Sequence, residues 1–260
     1  MSLSDRLETF SEGSIGWLVI RRPESRGALT QDMWLALPKK LSSLALRPAV
    51  RVIVIRGTDG NFVAGADIAE FKELRSDPES AKRYDEGAIE TIDALANLRV
   101  PSIAMIDGPC IGGGCLLAFA CDLRIASRRA TFGVPAGKLG LAYPYPALER
   151  LVDLFGEAVA LDLTLTGRIV AAEEAKTLGL VHYLAEPNLV EPETARLAER
   201  ISHNAPLAMQ YLRLALRRRS SGRLSREEVD ALAAACFASD DYAEGIAAFL
   251  EKRAPRFRGR

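Results

Sequence analysis

The chain has 260 residues, 48% of them hydrophobic, enough to close one sizeable core and append a smaller element to it. Its 34 Lys and Arg cancel its 34 Asp and Glu, so no overall field favours a nucleic acid backbone or an anionic membrane, and any anionic ligand has to be met by local groups. Met1 to Ser14 carries Asp5, Glu8 and Glu12 without an apolar run, and no later stretch approaches the ~18 uninterrupted apolar residues of a membrane span, so the expectation is a soluble, cytoplasmic protein.

In chain order, Trp17 to Arg22 is a short run rich in Val and Ile and reads as a strand. Thr30 to Leu46 opens on a capping threonine and sets Met33, Leu35, Leu37, Leu41 and Leu44 around one face of a helix. Val50 to Arg56, VRVIVIR, is a second strand ending at the turn Gly57 to Gly60. Pro78 to Leu98 is helical, Pro101 to Asp107 (PSIAMID) a strand, Gly113 to Ala120 an apolar helix and Asp122 to Ala126 a strand. Strands alternating with helices at this spacing, without strict two-residue alternation inside the strands, predict an α/β core with a covered sheet. From about Glu191 the texture changes to Ala, Leu, Arg and Glu at helical spacing, over Thr194 to His203, Pro206 to Arg219, Ser225 to Ala238 and Tyr242 to Lys252. Residues 1–190 are therefore read as the core and 191–260 as a helical tail, either a second subdomain or an oligomerisation region, with the basic cluster Arg217 to Arg219 on a solvated helix end.

Two glycine-bearing loops carry the chemistry. Asn61 to Ile68 (NFVAGADI) follows the strand VRVIVIR, and Gly108 to Cys115 (GPCIGGGC) follows PSIAMID. Each lies where a strand hands over to a helix, where glycine lets the backbone approach a ligand and the first-turn N–H groups lack intrahelical partners. Two such donors facing each other make an oxyanion hole.

FVAGADIAEF, PSIAMIDGPCIGGGCLLAFACDLRIAS and ATFGVPAGKLGL closely resemble the successive signature blocks of the crotonase superfamily, the enoyl-CoA hydratase/isomerase family. RRPESRGALT, LTGRIVAAEEAKTLGLVHYL and EGIAAFLEKRAPRF extend the resemblance to the C-terminus. It implies a ClpP/crotonase-like spiral of ββα units with a C-terminal helical trimerisation region, assembled as a homotrimer or a dimer of trimers. It also implies a coenzyme A thioester as substrate, carried without a permanently bound cofactor.

Carried over residue by residue, the resemblance makes the backbone N–H groups of Ala66 and Gly113 the oxyanion hole. The coenzyme and substrate contacts it implies are Arg26, Ala28, Ala64, Asp67 and Ile68, with Phe249 and Lys252 reaching a neighbour's ligand. Where the family usually has N-A-L, this chain has Gly27-Ala28-Leu29. The family's two acid/base glutamates are replaced by Leu116 and Ala136. Adding water to a double bond requires protons to be moved, which Leu and Ala cannot do. Three readings stand: an enolate-stabilising isomerase or lyase, a decarboxylase of a malonyl-type thioester that uses Tyr143, or a non-catalytic thioester binder or scaffold. Asp67, Glu70, Tyr84, Asp85 and Tyr145 are polar candidates for a different proton transfer, with surface or capping roles as the competing reading.

The two histidines, His182 and His203, and the four cysteines, Cys110, Cys115, Cys121 and Cys236, lack the spacing of a zinc site, so no metal is expected and the thiols read as reduced core residues. A G-x-S-x-G nucleophile motif and a G-x-G-x-x-G loop with an acidic ribose partner are both absent, which argues against hydrolase and dehydrogenase. No aromatic-interleaved basic patch argues for RNA.

Overall fold

The computed structural model describes residues 3–221 and 225–260. A short helix α1 (Leu3–Arg6) leads into a hairpin of β1 (Leu7–Glu12) and β2 (Ile15–Ile20), and helix α2 (Gln31–Ala45) follows. Thr30 caps α2 as its sequence suggests, its side chain accepting the Met33 N–H at 3.4 Å. Strand β3 (Val52–Gly57), the short helix α3 (Phe71–Leu74) and helix α4 (Pro78–Ala96) come next. Then a strand pair β4 (Ser102–Ile106) and β5 (Pro109–Ile111) delivers the chain to α5 (Gly113–Ala120). A second pair, β6 (Leu123–Ser127) and β7 (Thr131–Gly133), precedes α6 (Tyr145–Phe155) and α7 (Glu157–Thr166). Strand β8 (Val170–Ala171), α8 (Ala172–Thr177) and β9 (Tyr183–Ala185) complete the strand-bearing part. Four helices end the chain: α9 (Val190–Ser202), α10 (Pro206–Ser221), α11 (Arg226–Phe237) and α12 (Asp240–Leu250).

The strands form two sheets. One has the order β1-β2-β3-β4-β6-β9, parallel except for the β1 and β2 hairpin, and the other has the order β5-β7-β8. Each successive pair, β4 with β5 and β6 with β7, places one strand in each sheet, so the chain winds as a spiral. An isolated parallel bridge between Val63 and Cys110 adds the loop after β3 to the smaller sheet.

Both faces of the large sheet are dry, which is why its strands lack polar alternation. Leu18, Ile20, Ile53, Ile55, Ala104 and Ile106 belong to the main core with α2, α4 and α5, while Trp17, Val19, Val52, Val54, Ile103 and Met105 turn to the opposite face. On that face they meet Val190, Leu197 and Ala198 of α9. The core therefore runs past residue 190, and the helical part that lies outside it begins after Ser202 instead of at 191, because the second face of the sheet has to be covered.

Cys110, Cys115 and Cys121 are buried free thiols, as expected, but Cys236 is only partly buried and stands outside the core. The solvated reading of the basic cluster is also corrected. Arg217 is part-buried and pairs with Asp122 at 2.8 Å, beside Arg213, which reaches the same carboxylate at 2.7 Å. The side chains of Arg218 and Arg219 lie outside the described residues. No described helix is long and apolar enough to cross a membrane.

Candidate active site

Three chain segments run side by side to build the site. The Leu29 N–H donates to Gly65 O and the Asp67 N–H to Leu29 O, each at 2.9 Å, while Val63 and β5 exchange Val63 N–H to Pro109 O and Ile111 N–H to Val63 O at 3.0 Å. Residues 63–67 are thus zipped on one side to residues 26–29 and on the other to β5. Arg22 locks the first seam, donating to Ala28 O at 2.7 Å and to Asp67 Oδ2 at 2.9 Å.

This zipper fixes the direction of two amides. In a trans peptide the carbonyl and the N–H point opposite ways. Because Gly65 O faces Leu29, the Ala66 N–H faces the other way, towards α5. Gly113 is the first residue of α5, where an N–H has no intrahelical acceptor. Neither amide has a hydrogen-bond acceptor among the described residues. They share one space: a β-carbon built on Gly113 would lie 3.3 Å from Ala66 N and 3.0 Å from Trp34 Cζ2.

That space opens into a cavity of about 180 Å³. Ala64, Ala66, Ile68, Gly113, Leu116, Ala136 and Tyr143 all line it, so the structure brings together seven of the residues singled out in the sequence. Five others stand apart. The Arg26 side chain is exposed, in a left-handed turn (φ 50°), and its carbonyl accepts the Ala64 N–H at 3.0 Å. Ala28 contributes a carbonyl to Arg22 and no wall. Asp67 is spent on Arg22 and on capping the short 3₁₀ turn Ile68–Glu70, where it accepts the Ala69 N–H at 3.1 Å. Phe249, 83% exposed, and Lys252 lie at the end of α12 and line no part of this chain's cavity. The departure at Gly27 has a steric cause: with φ at 75°, a β-carbon there would sit 2.1 Å from Phe62 O.

Tyr84 and Asp85, two of the polar candidates, also line the cavity from α4, beside Ala88 of that helix and Trp34 from α2, Phe71 from α3 and Arg75, which the sequence did not single out. Arg75 makes a two-pronged pair with Asp85, at 2.5 and 3.3 Å, and its guanidinium lies 4.8 Å from the Phe71 ring centre and 5.2 Å from that of Tyr84. Burial, reinforced by the charge of Glu70, raises the Tyr84 phenol far above its ordinary value, and its hydroxyl lies 3.4 Å from Glu70 Oε2. Glu70 also caps α2 by accepting the Gln31 N–H at 2.8 Å. Tyr145, 70% exposed at the start of α6, does not reach the cavity. Asp85 is therefore the one carboxylate on the wall, and it is occupied by Arg75.

Tyr143 presents its ring to the cavity and donates its hydroxyl to Gly112 O at 2.9 Å. Burial, then the neighbouring thiols Cys115 and Cys110, push this phenol well above its ordinary value, so it is a protonated donor. No cluster of three His, Cys, Asp or Glu residues suited to a metal occurs among the described residues.

The family model for enoyl-CoA hydratase/isomerase matches residues 11–260. The chain belongs to the enoyl-CoA hydratase/isomerase family and has the crotonase fold. It is 34% identical over 250 residues to a crotonyl-CoA hydratase of Syntrophomonas wolfei, with 95% of each chain covered. It is 33% identical over 262 residues to a peroxisomal Δ(3,5)-Δ(2,4)-dienoyl-CoA isomerase of Arabidopsis thaliana, covering 95% of this chain and 94% of that one. A crystal structure of an enoyl-CoA hydratase/carnithine racemase from Magnetospirillum magneticum superposes with a TM-score of 0.94 at 35% identity, over 98% of this chain and 96% of the other.

Proposed function

We propose that this enzyme binds the carbonyl of an acyl-CoA thioester between the Ala66 and Gly113 N–H groups and works through the enolate, in a reaction that needs no carboxylate acid/base pair. The observation that carries this reading is a cavity with two unpaired amides at one end and no free carboxylate on its wall. Leu116 and Ala136, which by the family resemblance replace a hydratase's glutamates, line the cavity, and the Arg75 pair occupies Asp85.

Loss of carbon dioxide from a malonyl-type thioester meets this requirement. The carbon–carbon bond to the carboxylate breaks, its electron pair passes into the enolate held by the two amides, and a proton from water later returns to the α-carbon. An apolar wall of Leu116 and Ala136 disfavours the charged carboxylate in the ground state and favours its departure as a neutral gas. Tyr143 belongs to the same wall.

Self-association through the C-terminal helices is part of the proposal, with Phe249 and Lys252 serving a neighbouring copy's site. Leu216 at 76%, Phe249 at 83% and Leu250 at 73% exposure are large apolar side chains that a partner would cover. Light scattering on the purified chain tests this: a trimer or hexamer is expected, and a monomer refutes it.

The activity test follows methylmalonyl-CoA and crotonyl-CoA turnover in deuterium oxide, with deuterium taken up at the α-carbon as carbon dioxide leaves read in the same samples. Methylmalonyl-CoA turnover with deuterium uptake, without crotonyl-CoA hydration, is the expected result. Efficient hydration would overturn the reading, and no turnover of any thioester would leave a non-catalytic binder.

A further inference from the structure

The two amides are held from behind by different means. The peptide that ends in the Ala66 N–H is anchored by backbone, since its carbonyl, Gly65 O, accepts the Leu29 N–H at 2.9 Å. The peptide that ends in the Gly113 N–H joins two glycines. Gly112 has φ 50° and ψ −109°, and a β-carbon built on it would meet nothing within 4 Å. With no side chain on either neighbour, rotation of this peptide plane meets little steric resistance, and rotation would turn the carbonyl inward and the N–H away. Among the described residues, only two donors hold Gly112 O in place: the Leu116 N–H at 3.1 Å, which is the opening bond of α5, and the Tyr143 hydroxyl at 2.9 Å.

We infer that Tyr143 is a positioning residue for the oxyanion hole, fixing the Gly112–Gly113 peptide so that the Gly113 N–H points at the thioester oxygen. This rests on the oxyanion-hole reading of the site and assigns Tyr143 no direct contact with the departing group. The hydroxyl has one proton, and that proton is committed to Gly112 O. A hydrogen bond to the carbonyl also polarises the peptide and makes its N–H a stronger donor. The phenol is buried among apolar groups and thiols and stays protonated, so the anchor persists across the working pH range.

The test uses the full-length protein and a conjugated dienoyl-CoA, whose absorption moves to longer wavelength when its carbonyl is polarised. The wild type is expected to show this shift. Tyr143→Phe is expected to lose most of it and to lower methylmalonyl-CoA decarboxylation at least about tenfold, short of the ~100-fold or more that deletion of a donor costs, with KM and the pH profile unchanged. Tyr143→4-aminophenylalanine, which restores an N–H donor at the same reach, recovers the shift, whereas 4-fluorophenylalanine does not. A full shift and full decarboxylation in Tyr143→Phe would overturn the positioning role while leaving the hole intact. A changed pH profile in that variant would overturn it in favour of a proton-transfer role. No shift in the wild type would remove the oxyanion hole itself, and this inference with it.

Discussion

Adjacent glycines 113 and 114 separate catalysis from folding. In Gly113→Ala the new methyl group would stand 3.3 Å from Ala66 N and 3.0 Å from Trp34 Cζ2, inside the space meant for the thioester oxygen. Gly113 lacks the left-handed backbone seen at Gly112, and alanine favours a helix over glycine by up to about 1 kcal/mol, which offsets a displacement of Trp34 by a few tenths of an ångström. The stability should stay within about 1 kcal/mol, or roughly 2–4 °C in Tm. Methylmalonyl-CoA decarboxylation should fall by ~100- to 1,000-fold, the usual cost of losing an oxyanion donor.

Gly114→Ala behaves oppositely. Its β-carbon would sit 2.0 Å from Val63 O, so α5 and the residue 63 seam must part by more than about 1 Å, a disruption costing about 3 kcal/mol or more. Thermal unfolding followed by circular dichroism, with methylmalonyl-CoA decarboxylation on the same samples, distinguishes the two. Gly113→Ala that remains folded and keeps decarboxylation within about threefold of wild type would refute the placement of the thioester oxygen at these amides.

Three further outcomes are expected. Leu116→Glu combined with Ala136→Glu should create crotonyl-CoA hydration, by ~100-fold or more over the parent, since a positioned acid/base pair contributes at least that much; a coupled absorbance assay checks it. His182 is held at about 4, down from 6.5, by burial and then by Arg124 and Lys176. The unfolded chain therefore takes up a proton that the folded chain refuses, and stability falls as pH drops from 6.5 towards 4; His182→Gln should flatten that limb in denaturant titrations at several pH values. Burial opposes ionisation of Asp122, but Arg213 and Arg217 outweigh it and hold its carboxyl below 3.8, so this contribution is present above that pH and is lost as pH falls further. Asp122→Asn at neutral pH should cost about 3–5 kcal/mol by leaving two part-buried guanidinium groups uncompensated, a loss measurable by urea unfolding.

How much was legible in the sequence depended on how local the cause was. The helix over Gly113 to Ala120 and the Thr30 cap are set by neighbours in the chain, and both appear as read. Strand β1 went unread because it is an edge strand, with Leu7 and Phe10 its only large apolar residues. Helices α6 to α8 went unread because none of them has a side-chain cap, and α6 starts beside prolines. In the site, the glycine loops marked the two segments, since a strand-to-helix turn is a property of a few consecutive residues, and the family resemblance singled out Ala66 and Gly113 within them. Trp34, Phe71 and Arg75 were not marked, because only packing of α2, α3 and α4 over α5 brings them to one wall. Arg217 was misread for the same reason: its partner Asp122 is far away in the chain.

The zipper of residues 26–29, 63–67 and β5 has a consequence for how such a protein diversifies. On the reading proposed above, carbonyl recognition is written in main-chain atoms and glycine conformations, so exchange of the side chains at positions 116 and 136 would leave the grip on the thioester untouched. Mutational drift can then test new reactions on the α-carbon without first losing the substrate.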